Sequence, residues 1–158
     1  MLKWLWLSVI AVVLDQWSKI AIKSSMYLFQ SIDIIPGFKL TYVHNTGAAF
    51  SFLSEAGGWQ RWVFAAMAII ISGVLTVWLY RLKKHELLLA VALSLVLGGA
   101  IGNLIDRLAY GYVIDFIDVY YQTWHWPAFN VADMAISLGV FLMLLENVGI
   151  GTQKTEEI

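Results

Sequence analysis

Four long apolar segments constrain the fold of this chain more than any other feature of its sequence. They cover about residues 4–22, 62–80, 87–105 and 131–150, close to the roughly 20 residues that a helix needs to cross a bilayer. Only 13% of the residues are charged and 60% are hydrophobic, whereas soluble chains carry about 25% charged residues. The sequence therefore predicts an all-α integral membrane protein with four transmembrane helices, built as a single membrane domain over residues 1–158.

Composition excludes several kinds of chemistry. The chain has no cysteine, so a thiol nucleophile, a disulfide framework and thiolate metal sites are all ruled out. The three histidines, His44, His85 and His125, are scattered and do not suggest a zinc cluster. With a net charge of −1, nothing points to nucleic acid. We expect no metal and no cofactor.

The first segment resembles a secretory signal peptide in one respect, since Lys3 precedes an apolar run. Asp15 and Lys19 interrupt that run, however, and the residues around Ala21 make a poor small-residue cleavage site. We therefore expect a retained transmembrane helix.

The connection between the second and third segments predicts the orientation. It is short and contains Arg81, Lys83 and Lys84, so the positive-inside rule places it in the cytoplasm. Both termini are then cytoplasmic as well. The two long connections, about residues 23–60 and 106–130, lie on the outer side.

Polar side chains collect at the outer ends of the predicted spans. They are Asp15 and Lys19 on the first span, Asn103, Asp106 and Arg107 on the third, and Asp133 on the fourth. Charged groups inside a membrane are costly and usually functional. Their convergence at one leaflet, beside both long loops, predicts a site there.

The first outer loop contains two β-prone runs, residues 32–35 and 38–43, around the turn dipeptide Pro36-Gly37. We expect a small extracytoplasmic β-sheet or hairpin on the membrane surface.

Asp115 and Asp133 are candidates for a catalytic pair. They stand 18 residues apart and can meet only if the loop after Gly111 folds back over the helix bundle. Two adjacent carboxyl groups share a proton, so one can act as base on a water while the other donates to a carbonyl oxygen. Asp118 competes with Asp115 for this role, although we interpret it as a solvated loop charge.

The remaining polar residues admit two interpretations each. Asp15 and Lys19, four residues apart, can pair on one helix face, either to neutralise the first span or to act near a substrate. Arg107 can hold a carboxylate or a lipid headgroup, or extend to the interface. We interpret Trp124, His125 and Trp126 as interfacial anchors.

Five motifs resemble those of the lipoprotein signal peptidases (signal peptidase II), the bacterial inner-membrane aspartyl proteases. In chain order they are DQWSK from Asp15, HNTGAAFSF from His44, GGAIGNLIDR from Gly98, VIDF from Val113 and FNVAD from Phe129. The resemblance implies that Asp115 and Asp133 are the catalytic dyad. It also implies a supporting or substrate-binding set, in which we include the motif residue Lys19: Asp15, Lys19, Asn45, Gly47, Asn103, Arg107, Asn130 and Ala132.

The same resemblance implies the reaction and its setting. The family cleaves prolipoproteins on the N-terminal side of a diacylglyceryl-modified cysteine and releases the signal peptide. It implies an enzyme of the bacterial inner membrane, and we expect a monomer in contact with lipids. Gly98, Gly99 and Gly102 either let the signal helix approach the third span or pack that span against its neighbours, and we favour packing.

The main alternative is a small proton-coupled transporter or channel, because intramembrane carboxylates also relay protons. A transporter needs polar residues along a path through the bilayer, yet the inner halves of the second and third spans nearly lack them. A purely structural membrane subunit is a second alternative, but it would not explain why the polar residues Asn130 and Asp133 lie at the start of a span.

The orientation is testable with fusion reporters. Because the loop at 81–86 is basic, a reporter fused after Lys84 and one at the C-terminus should both read cytoplasmic, and one placed within residues 39–54 should read extracytoplasmic. An extracytoplasmic signal after Lys84 would contradict a site at the outer leaflet.

Overall fold

The computed structural model describes residues 1–47 and 58–148 of the chain. The end of the motif that starts at His44, and the end of the predicted fourth span, lie outside the described residues. After a short 3-10 helix at Leu2–Trp4, the elements in chain order are α1 (Leu5–Ser25), β1 (Ser31–Ile35), β2 (Phe38–Asn45), α2 (Gln60–Arg81), α3 (Leu87–Ala109), β3 (Val113–Tyr121), β4 (Trp124–His125) and α4 (Val131–Asn147).

Three helical segments, Leu2–Ser25, Gln60–Arg81 and Leu87–Ala109, are long and apolar enough to cross a membrane. The first three of the four predicted spans are therefore found as helices, and α3 extends one turn past the predicted end so that it includes Asp106 and Arg107. α4 begins at the predicted residue, Val131, and has 17 residues in the described part of the chain.

α3 lies at the centre of the bundle and packs against α1, α2 and α4. Its buried residues Leu93 and Leu97 meet Leu75 and Leu79 of α2 in an apolar core. The opposite side of α2 is lined by exposed isoleucines and valines, as expected for a helix that is hydrophobic all round and faces lipid.

Glycines on α3 let the neighbouring helices come close. A β-carbon at Gly98 would lie 2.7 Å from the Ala11 Cβ of α1. One at Gly99 would meet the Ala132 carbonyl of α4, and one at Gly102 would lie 2.6 Å from an Asp15 carboxylate oxygen. The packing interpretation of these glycines is confirmed, because α1 and α4 occupy the space beside all three.

The four strands form one antiparallel sheet in the order β1-β2-β3-β4. β1 and β2 are the predicted hairpin, and Gly37 adopts φ +88° at its turn, a conformation that glycine reaches without steric cost. The sheet is larger than predicted, because residues 106–130, expected to form a loop, contain β3 and β4. That prediction is wrong for β3, which pairs along its length with β2.

The interpretation of Asp118 as a solvated loop charge is wrong, since this residue lies within β3 and is only 7% exposed. Hydrogen bonds from Thr41 on β2 and His125 on β4 reach its carboxylate, and such partners make burial of a charge possible.

A second apolar core seats the sheet on the bundle. It joins Ile22, at the end of α1, to Tyr42 of β2 and to Ile114 and Phe116 of β3. The chain reverses between α3 and β3 at Gly111, where φ is +85°, as the sequence predicted. β3 therefore passes directly over the polar ends of α1 and α3.

The close approach of α1 and α3 predicts a destabilising effect of one methyl group. Gly98→Ala should lower the thermal unfolding midpoint in detergent, because overpacking a tight contact costs about 1–3 kcal/mol. Gly73→Ala on α2 is the matched control, since nothing lies within 4 Å of a β-carbon there. Equal midpoints for the two variants would contradict the packing described above.

Candidate active site

A buried lysine stands at the sheet end of α1. The Lys19 Nζ lies 2.8 Å from Asp15 Oδ2 and 3.0 Å from Asp106 Oδ2, and it donates to Asn103 Oδ1 at 2.9 Å. An ammonium group has three protons and no acceptor, so its hydrogen-bonding capacity is used in full. The predicted pairing of Asp15 with Lys19 is confirmed, and it is part of a larger cluster.

This lysine fixes the orientation of the Asn103 amide. Because Lys19 can only donate, the oxygen of that amide faces Lys19 and its NH2 group faces away. The NH2 group donates to Asp133 Oδ1 at 2.8 Å. A hydrogen-bonded connection therefore runs from the α1–α3 cluster to the first turn of α4.

Asp133 is held by the hydrogen bonds that begin α4. Asn130 is the N-cap: its side-chain oxygen accepts from the Asp133 backbone N–H at 3.0 Å, and its own backbone N–H donates to Asp133 Oδ2 at 3.2 Å. This is a capping box, with aspartate as its acid. The position of the carboxylate is thus fixed by the start of the helix.

Asp115, on β3, belongs to the same hydrogen-bond network as Asp133. Its side chain is 2% exposed, and its two oxygens accept from Asn45 Nδ2 at 2.9 Å and from Asn130 Nδ2 at 2.6 Å. Asn130 therefore contacts both carboxyl groups. Both Asp115 and Asp133 line one cavity of about 550 Å³.

The surroundings of Asp115 favour its protonated form. Burial away from water is the larger cause and the negative charge of Asp133 the next, and together they raise the pKa of Asp115 to about 7. Hydrogen bonds from Asn45 and Asn130 oppose this increase. A carboxyl group with such a pKa can give up and regain a proton near neutral pH.

Arg107 lines the cavity on the side of α3. Its guanidinium donates to the Gly47 carbonyl at 3.2 Å and to the Asn103 carbonyl at 3.4 Å. On the far side of the network, the buried Ala132 donates its backbone N–H to Asp15 Oδ1 at 2.9 Å.

Every residue predicted for the site thus belongs to one connected arrangement. Five line the cavity: Asn45, Asn103, Arg107, Asp115 and Asp133. Five more hold those residues or one another by hydrogen bonds or ion pairs: Asp15, Lys19, Gly47, Asn130 and Ala132.

Two members of this arrangement were assigned no role from the sequence, although Asp106 is among the polar residues whose convergence predicts a site. Asp106 is fully buried, pairs with Lys19 and accepts from the Ile114 backbone N–H at 3.0 Å, so it ties α3 to β3. Gln16 donates to Asp106 Oδ1 at 2.9 Å. The signal for Asp106 was present in the sequence, because an unpaired acid on an apolar helix requires a cation nearby.

The interpretation of the tryptophans as interfacial anchors is incomplete. Trp126 lines the cavity together with Pro127, Ala128 and Phe129, whereas Trp124 does not. These four consecutive residues, which we call the 126–129 wall, form an apolar part of the cavity lining. A sequence pattern alone does not separate a cavity-lining tryptophan from one that faces lipid.

General acid–base hydrolysis needs groups that can exchange protons. Here two carboxyl groups line one cavity, are held by amide donors and lie beside apolar helices of membrane-spanning length. The arrangement is that of a membrane-embedded aspartic hydrolase.

Comparison with known proteins supports this class of protein. The sequence model of the family described as signal peptidase (SPase) II matches residues 7–148. A lipoprotein signal peptidase from Alteromonas mediterranea is 51% identical over 156 residues, 99% of this chain and 86% of that protein. One from Pseudoalteromonas translucida is 58% identical over 145 residues, 92% of this chain and 87% of that protein. The chain belongs to the signal peptidase II family.

Solved structures support the fold. One bacterial membrane enzyme determined at 2.3 Å superposes with a TM-score of 0.86 at 31% identity, covering 100% of this chain and 94% of the other. A second, at 1.9 Å, gives a TM-score of 0.82 at 32% identity, covering 94% of each chain.

The environment of Asp115 predicts a measurable titration. In infrared difference spectra of wild type against Asp115→Asn, the band of the protonated carboxyl group should disappear as the pH is raised, with a midpoint near pH 7. In an Asp133→Asn background the midpoint should fall, because the neighbouring charge is gone, yet stay above the ordinary value of 3.8, because burial remains. A midpoint that is unchanged or raised in that background would contradict the coupling of the two groups.

Proposed function

We propose that this chain is a membrane aspartic endopeptidase that removes the signal peptide from diacylglyceryl-modified prolipoproteins by cleaving N-terminal to the lipidated cysteine. The observation that carries the proposal is the meeting of Asp115 and Asp133 in one cavity, in a chain of the signal peptidase II family. Removal of signal peptides from prolipoproteins follows from the relatives, whose names state that activity.

The proposed mechanism uses both carboxyl groups and one water. Asp115 holds the shared proton, because its pKa is raised to about 7, and Asp133 is then the carboxylate. Asp133 takes a proton from the water, whose oxygen attacks the peptide carbonyl, while Asp115 gives its proton to the carbonyl oxygen. Asp133 next passes its proton to the leaving nitrogen, the C–N bond breaks, and Asp115 recovers a proton from the collapsing intermediate.

The supporting residues explain how the pair is kept in place. Asn103 and the Asn130 backbone donate to the two oxygens of Asp133, while Asn45 and the Asn130 side chain donate to those of Asp115. Preorganised donors of this kind stabilise developing charge without moving during the reaction. The guanidinium of Arg107 adds a positive charge on the cavity wall.

The shape of the cavity supports a lipid-modified substrate. Its lining combines the carboxyl and amide groups with the apolar 126–129 wall and with Met134 and Ile136 of α4. A peptide bond next to an acylated residue would find polar groups for the reacting atoms and apolar surface for its neighbour.

The proposal includes the membrane topology. α4 is the fourth transmembrane helix, both termini are cytoplasmic and the cavity lies at the outer leaflet of the bacterial inner membrane. The basic loop from Arg81 to Glu86 supports this orientation, and the polar network lies at the opposite end of α3 from that loop. We further propose that the enzyme is a single membrane domain that acts as a monomer among membrane lipids.

The transporter or channel alternative is not supported. The family match points to a peptidase. In addition, among the described residues the end of the bundle away from the sheet has an apolar core that contains Leu75, Leu79 and Leu93, whereas proton transport needs polar groups along its path.

Substitution of the carboxyl groups tests the mechanism. Asp115→Asn and Asp133→Asn nearly preserve shape but cannot exchange a proton, so each should slow single-turnover cleavage of lipidated substrate by about a hundredfold to ten-thousandfold. The double variant should be little worse, because residues that act as a unit are not additive. Binding of the lipidated substrate should persist in all three.

Asp118→Asn is the matched control, since it makes the same change three residues away on β3, outside the cavity. At saturating substrate its cleavage rate should stay near wild type. An inactive Asp118→Asn together with an active Asp115→Asn would show that the wrong carboxyl group was assigned. Equal cleavage of lipidated and unlipidated substrate by wild type would reject the proposed substrate class.

A further inference from the structure

The sheet carries a second buried carboxylate that the mechanism does not use. Asp118 Oδ2 accepts from Thr41 Oγ1 at 2.9 Å and lies 3.7 Å from Lys39 Nζ, both on β2. Asp118 Oδ1 lies 2.8 Å from His125 Nδ1 on β4. This carboxylate therefore connects three strands.

β4 depends on this contact because it is very short. It consists of Trp124 and His125 alone, paired with Tyr121 and Tyr120 of β3. The His125 ring also stacks on Tyr120, with the ring centres 5.3 Å apart. A strand of two residues has few backbone hydrogen bonds, so its side-chain contacts contribute a large share of what holds it.

The chain continues from β4 directly into the 126–129 wall of the cavity. At the far end of the wall, Phe129 exchanges backbone hydrogen bonds with Ile117 at 2.8 and 3.1 Å. At the near end, the Trp126 backbone N–H donates to the Val119 carbonyl at 2.9 Å, immediately after His125. The wall is thus fixed to β3 at both ends, and His125 secures the near one.

We propose that the contact between Asp118 and His125 positions Trp126 as a substrate-contacting side of the cavity and thereby sets the affinity for substrate. His125 is a positioning residue, and Trp126 is a specificity-determining one. Trp126 lines the cavity and is 47% exposed, with its ring edge-on to Trp124, and tryptophan gains large apolar area when a substrate covers it. This inference rests on the proposed peptidase function, since its effect is measured on the same reaction.

The contact does not depend on the charge of the histidine. Nδ1 can donate to the Asp118 carboxylate as the neutral tautomer or as the imidazolium. The other groups that face it are Lys39, which lies by Asp118 and over the Tyr120 ring, and Tyr120 itself. A variant that removes only the hydrogen bond is therefore the proper test.

His125→Phe is that variant, because it keeps the ring stacked on Tyr120 and lacks the nitrogen. It should raise KM for a diacylglyceryl-modified preprolipoprotein roughly fivefold, the equivalent of about 1 kcal/mol for one hydrogen bond, and leave kcat within about twofold. His125→Asn, whose amide can donate to Asp118, should restore KM. Lys39→Met is the matched control: it removes another partner of Asp118 that does not belong to β4, and its KM should equal that of wild type.

A double-mutant cycle separates positioning from general stability. If His125 acts through Trp126, then His125→Phe should add little to the KM of Trp126→Ala, because coupled residues are not additive. Unfolding midpoints are recorded for every variant. If His125→Phe does not fold, Asp118→Asn takes its place in the cycle, since it keeps the shape of the side chain and weakens the same contact.

An unchanged KM in the folded variant, or independent effects of the two substitutions in the cycle, would overturn the inference. A loss of kcat at constant KM would do so as well, since it would place His125 in the chemistry. These results are distinct from failure of the proposed function, which would appear as no cleavage of the lipidated substrate by the wild-type protein and would overturn both.

Discussion

The burial of one lysine ammonium group organises the polar end of this protein. Removing a charge from water is costly unless it is paired and fully hydrogen-bonded, and Lys19 achieves this with Asp15, Asp106 and Asn103. Its partners belong to α1 and α3, and they in turn hold other elements. Asp15 accepts from the backbone of α4 and Asp106 from the backbone of β3. One ion cluster therefore connects the helices, the start of α4 and the strand that crosses above them.

The site depends on that cluster because the same hydrogen bonds build the fold and aim the reactive groups. The Asn103 side-chain oxygen accepts from Lys19 and from Asn130, so its NH2 group is the part that faces Asp133. Asn130 begins α4 and, through its amide, also holds Asp115. Substitution of a supporting residue is thus expected to change the positions of the two carboxyl groups, even where that residue does not contact substrate. Catalytic groups commonly depend in this way on the contacts that position them.

The helices and the hairpin could be predicted from the sequence, and β3 could not. Continuous apolar runs define α2 and α3, and Pro36-Gly37 defines the first turn. In β3 the acids Asp115 and Asp118 interrupt the apolar run, and Asn45 on the partner strand is 70 residues away from Asp115. Whether an aspartate is buried depends on such distant partners, which explains why Asp118 was wrongly interpreted as solvated and why no partner was predicted for Asp106. The pairing of Asp115 with Asp133 was one candidate among the acids of the chain, and it was assigned as the catalytic dyad through the resemblance of VIDF and FNVAD to the family's motifs.

Direct attack by water on the peptide carbonyl is the central chemical claim, and one measurement tests it. A single turnover of lipidated substrate is carried out in ¹⁸O-labelled water, followed by mass analysis of the released signal peptide and of the enzyme. Attack by water predicts the label in the new C-terminal carboxyl group of the peptide in the first turnover, with none in Asp115 or Asp133. An unlabelled peptide together with ¹⁸O in either aspartate would show a covalent acyl intermediate and contradict the shared-proton mechanism.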